Sequence, residues 1–221
     1  LMSLARAHGV KVVEDACQAH CGAWRGRRLG TLGTTGCFSF QSSKTLNSGE
    51  GGAILCDDPQ LAERCFSFHT NSHGRGQIGK GYQPVHGTNL RMTEFQGALL
   101  LDQMTRLEEQ SKTRWENGQY LSSLLREIPG IVPAKLYEGC TQSAFHLYMF
   151  RYCKEQFAGM SRAKFLQAFQ AEGVPCSGGY RMLNKEPLCK ATLTGRVYRK
   201  IYSPEEIARW EERNQCPAND R

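Results

Sequence analysis

A carboxylate and a lysine amine within the first fifty residues are suited to one kind of chemistry. Asp15 follows a short apolar run, Gln18 lies three residues further on, and Ser39 and Lys44 belong to a second strand and the loop after it. Pyridoxal phosphate needs an amine to bind its aldehyde and a carboxylate to keep its ring nitrogen protonated, which makes the ring an electron sink. Asp15 and Lys44 could supply these groups, although each residue alone is more commonly a capping aspartate or a surface lysine.

Three short strands and a helix are predicted to position these side chains. Residues 10–13 form an apolar run that predicts a buried strand with a carboxylate at its end. Residues 36–40 and 53–56 predict two further strands, and Asp58 with Pro59 predicts the start of a helix. This order predicts an α/β layer whose loops gather at the carboxyl ends of the strands, where open sheets bind ligands.

A long helix is predicted to follow. Thr93 and Gln96 have the spacing of a capping box, and no obvious break occurs before about residue 127. Its predicted apolar stripe consists of Ala98, Leu101, Met104 and Leu107. A helix of about 35 residues is too long for one compact layer, so we expect it to bridge two domains. Further on, residues 145–152 predict a strand and residues 162–172 an amphipathic helix.

Charge and hydropathy limit the possible partners. The 221 residues include 28 Lys and Arg against 21 Asp and Glu, a formal net charge of +7. The densest basic group, Arg25, Arg27 and Arg28, has no interleaved aromatic residues, so we expect no nucleic-acid partner. No stretch approaches the roughly 18 apolar residues of a membrane span. We therefore expect no membrane partner and a cytoplasmic protein.

Three other patterns are weaker. The ten cysteines contain no C-x-x-C pair, so neither a disulfide framework nor a zinc site is predicted, and free thiols fit a reducing compartment. His69 and His73 could share a helix face, but no third metal ligand is nearby. Residues 74–79 match G-x-G-x-x-G, and residues 74–80 match most of a Walker A loop. No strand precedes them, however, and Gly81 stands where a Walker loop needs Ser or Thr. We interpret this segment as part of a flexible loop.

Longer strings around the first residues carry a family resemblance. Residues 12–20 read Val-Val-Glu-Asp-Ala-Cys-Gln-Ala-His, and residues 36–44 read Gly-Cys-Phe-Ser-Phe-Gln-Ser-Ser-Lys. Residues 87–94 read Gly-Thr-Asn-Leu-Arg-Met-Thr-Glu. Together these strings closely resemble the DegT/StrS family of sugar and cyclitol aminotransferases, which use pyridoxal 5'-phosphate.

The resemblance assigns a role to each matching residue. It implies that Lys44 is the catalytic Schiff-base lysine and that Asp15 pairs with the pyridine nitrogen. It further implies that Gln18 lies beside the ring, that Ser39 binds the cofactor phosphate, and that Asn89 reaches the cofactor phosphate of a neighbouring subunit. A homodimer is therefore implied.

The resemblance also implies a fold and an activity. The fold is the fold-type I α/β architecture, with residues 1–110 as the C-terminal part of a large cofactor-binding domain and residues 111–221 as a truncated small α+β domain. The activity is transfer of an amino group from glutamate or glutamine to a keto-sugar, often nucleotide-linked, or to a keto-cyclitol. Residues 41–44 hint at the glutamine-using cyclitol branch.

Two alternatives remain at this point. The family's dehydratases carry histidine at the position of Lys44, so a dehydratase is disfavoured. The family's N-terminal phosphate turn and ring-stacking aromatic residue have no counterpart in this sequence, which leaves open a non-catalytic or regulatory remnant of the same fold.

Overall fold

The structure is a computed structural model that describes residues 1–74 and 85–216. The chain divides into two compact units, Leu1–Phe157 and Ala158–Arg221. All strands of the described residues lie in the first unit, and the regular elements in the described part of the second unit are helices. A domain division at residue 110 stays a prediction.

The elements follow one another in chain order. The strands are β1 (Val13–Asp15), β2 (Ala23–Trp24), β3 (Arg27–Arg28), β4 (Thr35–Ser39), β5 (Gly52–Leu55), β6 (Ile131–Pro133), β7 (Cys140–Gln142) and β8 (Phe150–Tyr152). The α-helices are α1 (Met2–Ala7), α2 (Pro59–His69), α3 (Glu94–Leu125), α4 (Arg162–Ala171), α5 (Pro187–Leu193), α6 (Tyr198–Ile201) and α7 (Pro204–Arg213). Short 3-10 helices occupy Lys154–Phe157 and Leu183–Lys185.

A three-stranded mixed sheet in the order β1-β4-β5 holds the residues of interest. β1 runs parallel to β4 with Asp15 opposite Cys37, and β4 runs antiparallel to β5 with Ser39 opposite Gly52. The predicted strands at residues 36–40 and 53–56 are therefore confirmed within one residue. Two smaller sheets have the orders β3-β2-β7 and β6-β8.

The first predicted strand is displaced and is not buried. β1 comprises Val13–Asp15 rather than residues 10–13, and Val13 is 67% exposed. Val12 lies before the regular ladder, because its amide donates to the Thr34 hydroxyl and its carbonyl accepts from the Thr34 amide. Within the described residues β1 pairs on one side only, with β4, and is therefore an edge strand of this sheet.

Helix α3 begins as predicted but buries a different face. The Thr93 and Gln96 capping box is present, and the helix extends for 32 residues. The predicted stripe is wrong for Ala98, Leu101 and Met104, which are exposed, and only Leu107 packs against the core. The residues of the predicted stripe are spaced by three. Because a helix has 3.6 residues per turn, a stripe with this spacing moves steadily around the helix. The positions that face the protein interior are separated alternately by seven and four residues, so they stay on one face of the helix. They are Leu100, Ser111, Gly118 and Ser122, which are buried, and Leu107, which is half-buried.

Small residues on this face bring a later segment against α3. The Ser122 hydroxyl is 2.8 Å from the Tyr148 hydroxyl, and the Phe145 ring packs directly over Gly118. Phe145 adopts a φ of 40° and stacks on Trp115 with ring centroids 5.7 Å apart. This packing explains why only the end of the predicted strand at 145–152 forms β8.

Other helical predictions are largely confirmed. Asp58 caps α2 by accepting from the amides of Gln60 and Leu61, and α4 ends one residue before the predicted position. His69 is the last residue of α2, whereas His73 follows the helix. The two histidines therefore do not share a helix face, and that prediction is wrong.

Some predictions concern features that the structure addresses only in part. Residues 75–80 of the glycine-rich pattern lie outside the described residues. In the described segments, 1–74 and 85–216, His, Cys, Asp and Glu form no cluster of three able to hold a metal ion. No helix within the same segments combines the length and apolar character needed to cross a membrane.

Candidate active site

The carboxyl ends of two parallel strands bring Asp15 and Ser39 to the same edge of the central sheet. Asp15 is the last residue of β1 and Ser39 is the last residue of β4. Their alignment is direct, since Asp15 lies opposite Cys37 in the parallel ladder. Ligands bind at this edge in open α/β sheets, because the loops that leave the strands there form a crevice.

The loop that carries Lys44 is anchored at several points. Leu46 is buried in a small core with Phe40 and Leu100 of α3. The Lys44 amide donates to the Gln41 carbonyl at 2.9 Å, and the Asn47 side chain donates to the Lys44 carbonyl at 3.1 Å. The backbone at Lys44 is thus held in place, while its side chain is half-buried.

The end of this loop is bonded to α3. The Gln103 side-chain amide donates to the Asn47 carbonyl at 2.6 Å, and its oxygen accepts from the Asn47 amide at 3.4 Å. Because these two bonds reach across from a long helix, the loop cannot shift without disturbing the contact with α3. The Lys44 side chain therefore extends from a backbone whose position is fixed by these hydrogen bonds.

Asp15 is an exposed carboxylate that stays ionised. Its Oδ1 accepts from the Cys17 amide at 3.2 Å. Hydrogen bonds from the Cys17 side chain and backbone hold the pKa of Asp15 below its ordinary value, and the Lys44 ammonium lowers it further. In turn, burial and the neighbouring Asp15 raise the pKa of Cys17 to about 11. At neutral pH the site therefore contains a charged carboxylate beside a protonated thiol.

The Lys44 amine has no hydrogen-bond or ion-pair partner in the part of the chain that the structure describes. Its charge nevertheless acts on Asp15, whose pKa it lowers further. Burial lowers the pKa of His20 and of His146, and the Lys44 charge adds to both effects. A lysine amine without a partner in the described residues is sterically accessible to a carbonyl compound, which it attacks in its unprotonated form.

A glycine turn brings the backbone close to Ser39. The Phe40 amide donates to the Gly51 carbonyl at 2.8 Å, and the Ser48 hydroxyl donates to the Glu50 carbonyl at 3.0 Å. Gly51 has a φ of 141°, and a Cβ there would lie 3.2 Å from the Met92 sulfur, so the turn requires glycine. The Ser39 hydroxyl oxygen accepts from the Gln41 amide at 3.3 Å and is half-buried.

Gln18 and Asn89 occupy different surroundings. Gln18 is exposed in the turn after β1, three residues beyond Asp15. Asn89 pairs with Thr70 in an isolated antiparallel bridge, and its side-chain oxygen accepts from the Arg91 amide at 3.3 Å. In the described part of the chain no hydrogen bond or ion pair joins Asn89 to Lys44. The structure thus brings together Asp15, Ser39 and Lys44, and the roles of all five residues remain predictions.

Glu14 is a positioning residue that sequence reasoning missed. Its carboxylate accepts from the amides of Gly30, Leu32 and Gly33 at 2.8, 2.6 and 2.6 Å. Because successive residues of a strand point to opposite faces, Glu14 fixes this turn on one side while Asp15 projects from the other. The glycines of residues 30–33, which expose backbone amides, were the available signal.

We expect Glu14→Ala to lower the free energy of unfolding by about 2–4 kcal/mol, because three backbone amides lose their acceptor. Urea unfolding followed by circular dichroism measures this change. Glu109→Ala is the matched control, since Glu109 is exposed on α3 and its side chain contacts no described partner. Equal stability of the two variants would contradict the assigned role of Glu14.

The donor set of this edge fits pyridoxal phosphate. The cofactor needs an amine for its aldehyde and a carboxylate for its ring nitrogen. Asp15 supplies an ionised carboxylate, and Lys44 supplies an amine without a partner in the described residues; the two act on each other electrostatically. The Ser39 hydroxyl at the end of β4 is a donor suited to a phosphate. The glycine turn beside Ser39 permits close approach of a phosphate. A buried ring nitrogen of His20 also lacks a hydrogen-bond partner in the described residues, as in a site designed to hold a further group.

Comparison with known proteins decides the family. The sequence model of the DegT/DnrJ/EryC1/StrS aminotransferase family matches residues 1–200 of this chain. The chain belongs to this family. The match confirms the resemblance to the DegT/StrS family. The matched region of this DegT-family chain includes Asp15, Ser39 and Lys44.

Curated relatives of this DegT-family chain are cyclitol aminotransferases. L-glutamine:2-deoxy-scyllo-inosose aminotransferase of Streptoalloteichus tenebrarius is 33% identical over 198 residues, which are 85% of this chain and 46% of the relative. L-glutamine:scyllo-inosose aminotransferase of Streptomyces griseus is 34% identical over 199 residues, again 85% and 46%. The chain therefore spans about half the length of these relatives.

Solved structures confirm the fold. A DegT DnrJ EryC1 StrS aminotransferase from Brucella abortus superposes with a TM-score of 0.72 at 25% identity, covering 86% of this chain and 48% of that protein. For 3-amino-5-hydroxybenzoic acid synthase the TM-score is 0.71 at 29% identity, with 84% and 48% covered. The predicted fold-type I α/β architecture is therefore confirmed for this part of a DegT-family protein.

Proposed function

We propose that this chain is the part of a pyridoxal-phosphate-dependent aminotransferase that carries the reactive lysine, and that the enzyme moves an amino group from L-glutamine to a keto-cyclitol. The observation that supports this most is that Asp15 and Ser39 end two parallel strands at one sheet edge, where the loop to Lys44 begins. The charge of Lys44 acts on Asp15, and its amine has no hydrogen-bond or ion-pair partner among the described residues. The substrate classes are supported by the names of relatives that act on L-glutamine and inososes.

Each residue of the site has a task in this proposal. Lys44 would hold the cofactor aldehyde, Asp15 would pair with the ring nitrogen, and Ser39 would bind the phosphate. Gln18 would lie beside the ring, and Asn89 would contribute to the site of a second subunit. When bound, pyridoxal phosphate supplies an electron sink that stabilises negative charge at the substrate carbon.

Proton transfer is the task of Lys44. Once its amine is released, Lys44 Nζ takes the proton from the α-carbon of the amino donor, acting as a general base. In the second half of the reaction the same nitrogen takes part in returning a proton at the carbon that receives the amino group. The anchored backbone at Lys44 keeps the amine within reach in both halves.

The acceptor is tested with the full-length protein that contains this chain. The protein is supplied with pyridoxal phosphate and L-glutamine and offered either scyllo-inosose or a nucleotide-linked keto-sugar, and amine products are identified by mass spectrometry. We expect amination of the cyclitol, and none with a Lys44→Ala variant. Amination of the nucleotide-linked sugar alone would overturn the acceptor assignment, and no transfer to either ketone would overturn the proposed activity.

We further propose a homodimer in which Asn89 completes the site of the partner subunit. The support is that Asn89 lies on a separate, exposed segment from Lys44 and matches the family residue with that role. Mixing a Lys44→Ala subunit with an Asn89→Ala subunit should restore activity, because a mixed dimer has one site with both lesions and one intact site. Random assortment gives about a quarter of wild-type activity, since about half of the dimers are mixed.

The mixing experiment has two controls. Each variant alone should remain inactive after the same treatment, and native mass spectrometry should demonstrate the mixed dimer. If mixed dimers form and the mixture is as inactive as its parents, the two residues do not share a site.

A further inference from the structure

Gln41 lies at the start of the loop that carries Lys44, and the proposed reaction gives its side chain no task. It is half-buried and lies two residues after Ser39. Its Oε1 accepts from the Ser43 amide at 2.8 Å and from the Ser43 hydroxyl at 2.6 Å, and its Nε2 donates to the Ser42 hydroxyl at 2.8 Å. The carboxamide therefore closes the chain between the strand end and Lys44 into a compact turn.

The orientation of this carboxamide is fixed by its partners. A backbone amide can only donate, so the Gln41 atom that lies 2.8 Å from the Ser43 nitrogen is the oxygen. The nitrogen of the carboxamide then faces Ser42, whose hydroxyl oxygen can accept. Because each end of the carboxamide has a partner, rotating it would break hydrogen bonds at both ends.

The backbone of Gln41 connects this turn to both groups proposed to hold the cofactor. Its amide donates to the Ser39 hydroxyl oxygen at 3.3 Å, and its carbonyl accepts from the Lys44 amide at 2.9 Å. The first bond uses a lone pair of the serine oxygen and leaves the hydroxyl proton available to a phosphate. The second bond closes a four-residue turn that ends at Lys44. Gln41 thus contacts Ser39 on one side and Lys44 on the other.

The chain after Lys44 has a second support. The Asn47 side chain donates to the Lys44 carbonyl, and Gln103 of α3 bonds both the amide and the carbonyl of Asn47. Lys44 therefore lies between the turn made by Gln41 and the contact with α3. The partners of the Gln41 side chain are two exposed serines of the same loop, so replacing this side chain should leave the core of the protein unchanged.

We propose that Gln41 is a positioning residue, and that its side chain holds the turn of residues 41–44 so that the Lys44 amine and the Ser39 hydroxyl keep a fixed separation. The inference rests on the proposed function of these two residues. A cofactor held at its aldehyde and at its phosphate requires both groups in one arrangement, which a loose turn would not maintain. Residues 41–44, which hinted at the cyclitol branch, thereby acquire a physical role.

The first test observes the turn without cofactor or reaction. Amide hydrogen exchange is measured on the cofactor-free, full-length protein by mass spectrometry with fragmentation that resolves single residues. Gln41→Met keeps the size of the side chain and removes its acceptor. We expect it to speed exchange at the Ser43 and Lys44 amides about 5- to 10-fold, the effect of one hydrogen bond. Gln41→Glu keeps an acceptor oxygen and should retain the protection at Ser43.

Gln110→Met is the matched control for this measurement. Gln110 is exposed on α3 and its side chain has no partner within the described residues, so its replacement should leave the Ser43 and Lys44 amides unchanged. Equal exchange at Ser43 in the wild type and in Gln41→Met would overturn the proposal. It would also be overturned if Gln41→Glu lost as much protection as Gln41→Met, because the acceptor oxygen would then not hold the turn.

The second test asks whether the turn matters for the chemistry. At saturating pyridoxal phosphate, we expect Gln41→Met to lower kcat per labelled site about 10-fold to 100-fold, the scale of a small misplacement of a reacting group. The KM for L-glutamine should stay within about twofold of the wild type, because the donor does not contact this turn in the proposal. Gln110→Met should match the wild type in both constants. Borohydride labelling counts the sites, so a variant that is merely less folded loses sites and not kcat.

The outcomes separate this inference from the proposed function. Borohydride should attach the cofactor to Lys44 in the wild type and in both Gln41 variants. If Lys44 is labelled and Gln41→Met turns over like the wild type at each labelled site, Gln41 has no positioning role. If Lys44 is not labelled in the wild type, the proposed function itself is wrong.

Discussion

Replacement of Lys44 by alanine is expected to abolish amino transfer, with a loss of at least about 10⁴-fold in kcat. A positioned acid–base group alone contributes up to about this factor, and the same amine also holds the cofactor. The fold should persist, because the loop is anchored by backbone and neighbouring groups and not by the lysine side chain. Turnover, cofactor absorbance and urea unfolding measured on one preparation test all three statements.

Lys11→Ala is the matched control for this experiment. Lys11 is exposed just before β1 and lies outside the family motif that contains Lys44. We expect its turnover and its cofactor absorbance to equal those of the wild type. A Lys44→Ala variant that retains turnover within tenfold of this control would show that another group performs the chemistry.

Asp15→Asn is expected to slow amino transfer by about 10²- to 10⁴-fold. The carboxylate is held in its charged form by Cys17 and Lys44 and can form a charge-assisted bond with a protonated ring nitrogen. A neutral amide cannot hold that proton, so the electron sink weakens. The asparagine oxygen still accepts from the Cys17 amide, and the stability of the fold should therefore change little.

Asp57→Asn serves as the control, because Asp57 is also an exposed aspartate just beyond a strand of the same sheet. Single-turnover absorbance changes with glutamine measure the rate in each variant. Unchanged turnover in Asp15→Asn would refute the assigned role, whereas a slow Asp57→Asn variant would show that the effect is not specific to Asp15.

The sequence allowed part of the site to be predicted. Asp15 and Ser39 end two strands, and parallel pairing of such strands places their ends together, so local patterns sufficed. The start of α3 was also predictable, because the capping box is a local interaction between Thr93 and Gln96. These features depend on residues that are close in the chain.

Other features depend on contacts between distant segments. The buried face of α3 is set by Phe145 and Tyr148, which pack on Gly118 and Ser122 and thereby favour small residues over an apolar stripe. Glu14 was passed over because its three donors lie 16 to 19 residues away.

Borohydride trapping is the most direct measurement of the central claim, that Lys44 carries the cofactor. The full-length protein containing this chain is loaded with pyridoxal phosphate, reduced, digested and sequenced by mass spectrometry. The account predicts that the reduced cofactor is found on the peptide that contains Lys44, and that this label is absent from Lys44→Ala. A label on Lys11 or Lys80 in the wild type, or no label at all, would contradict it.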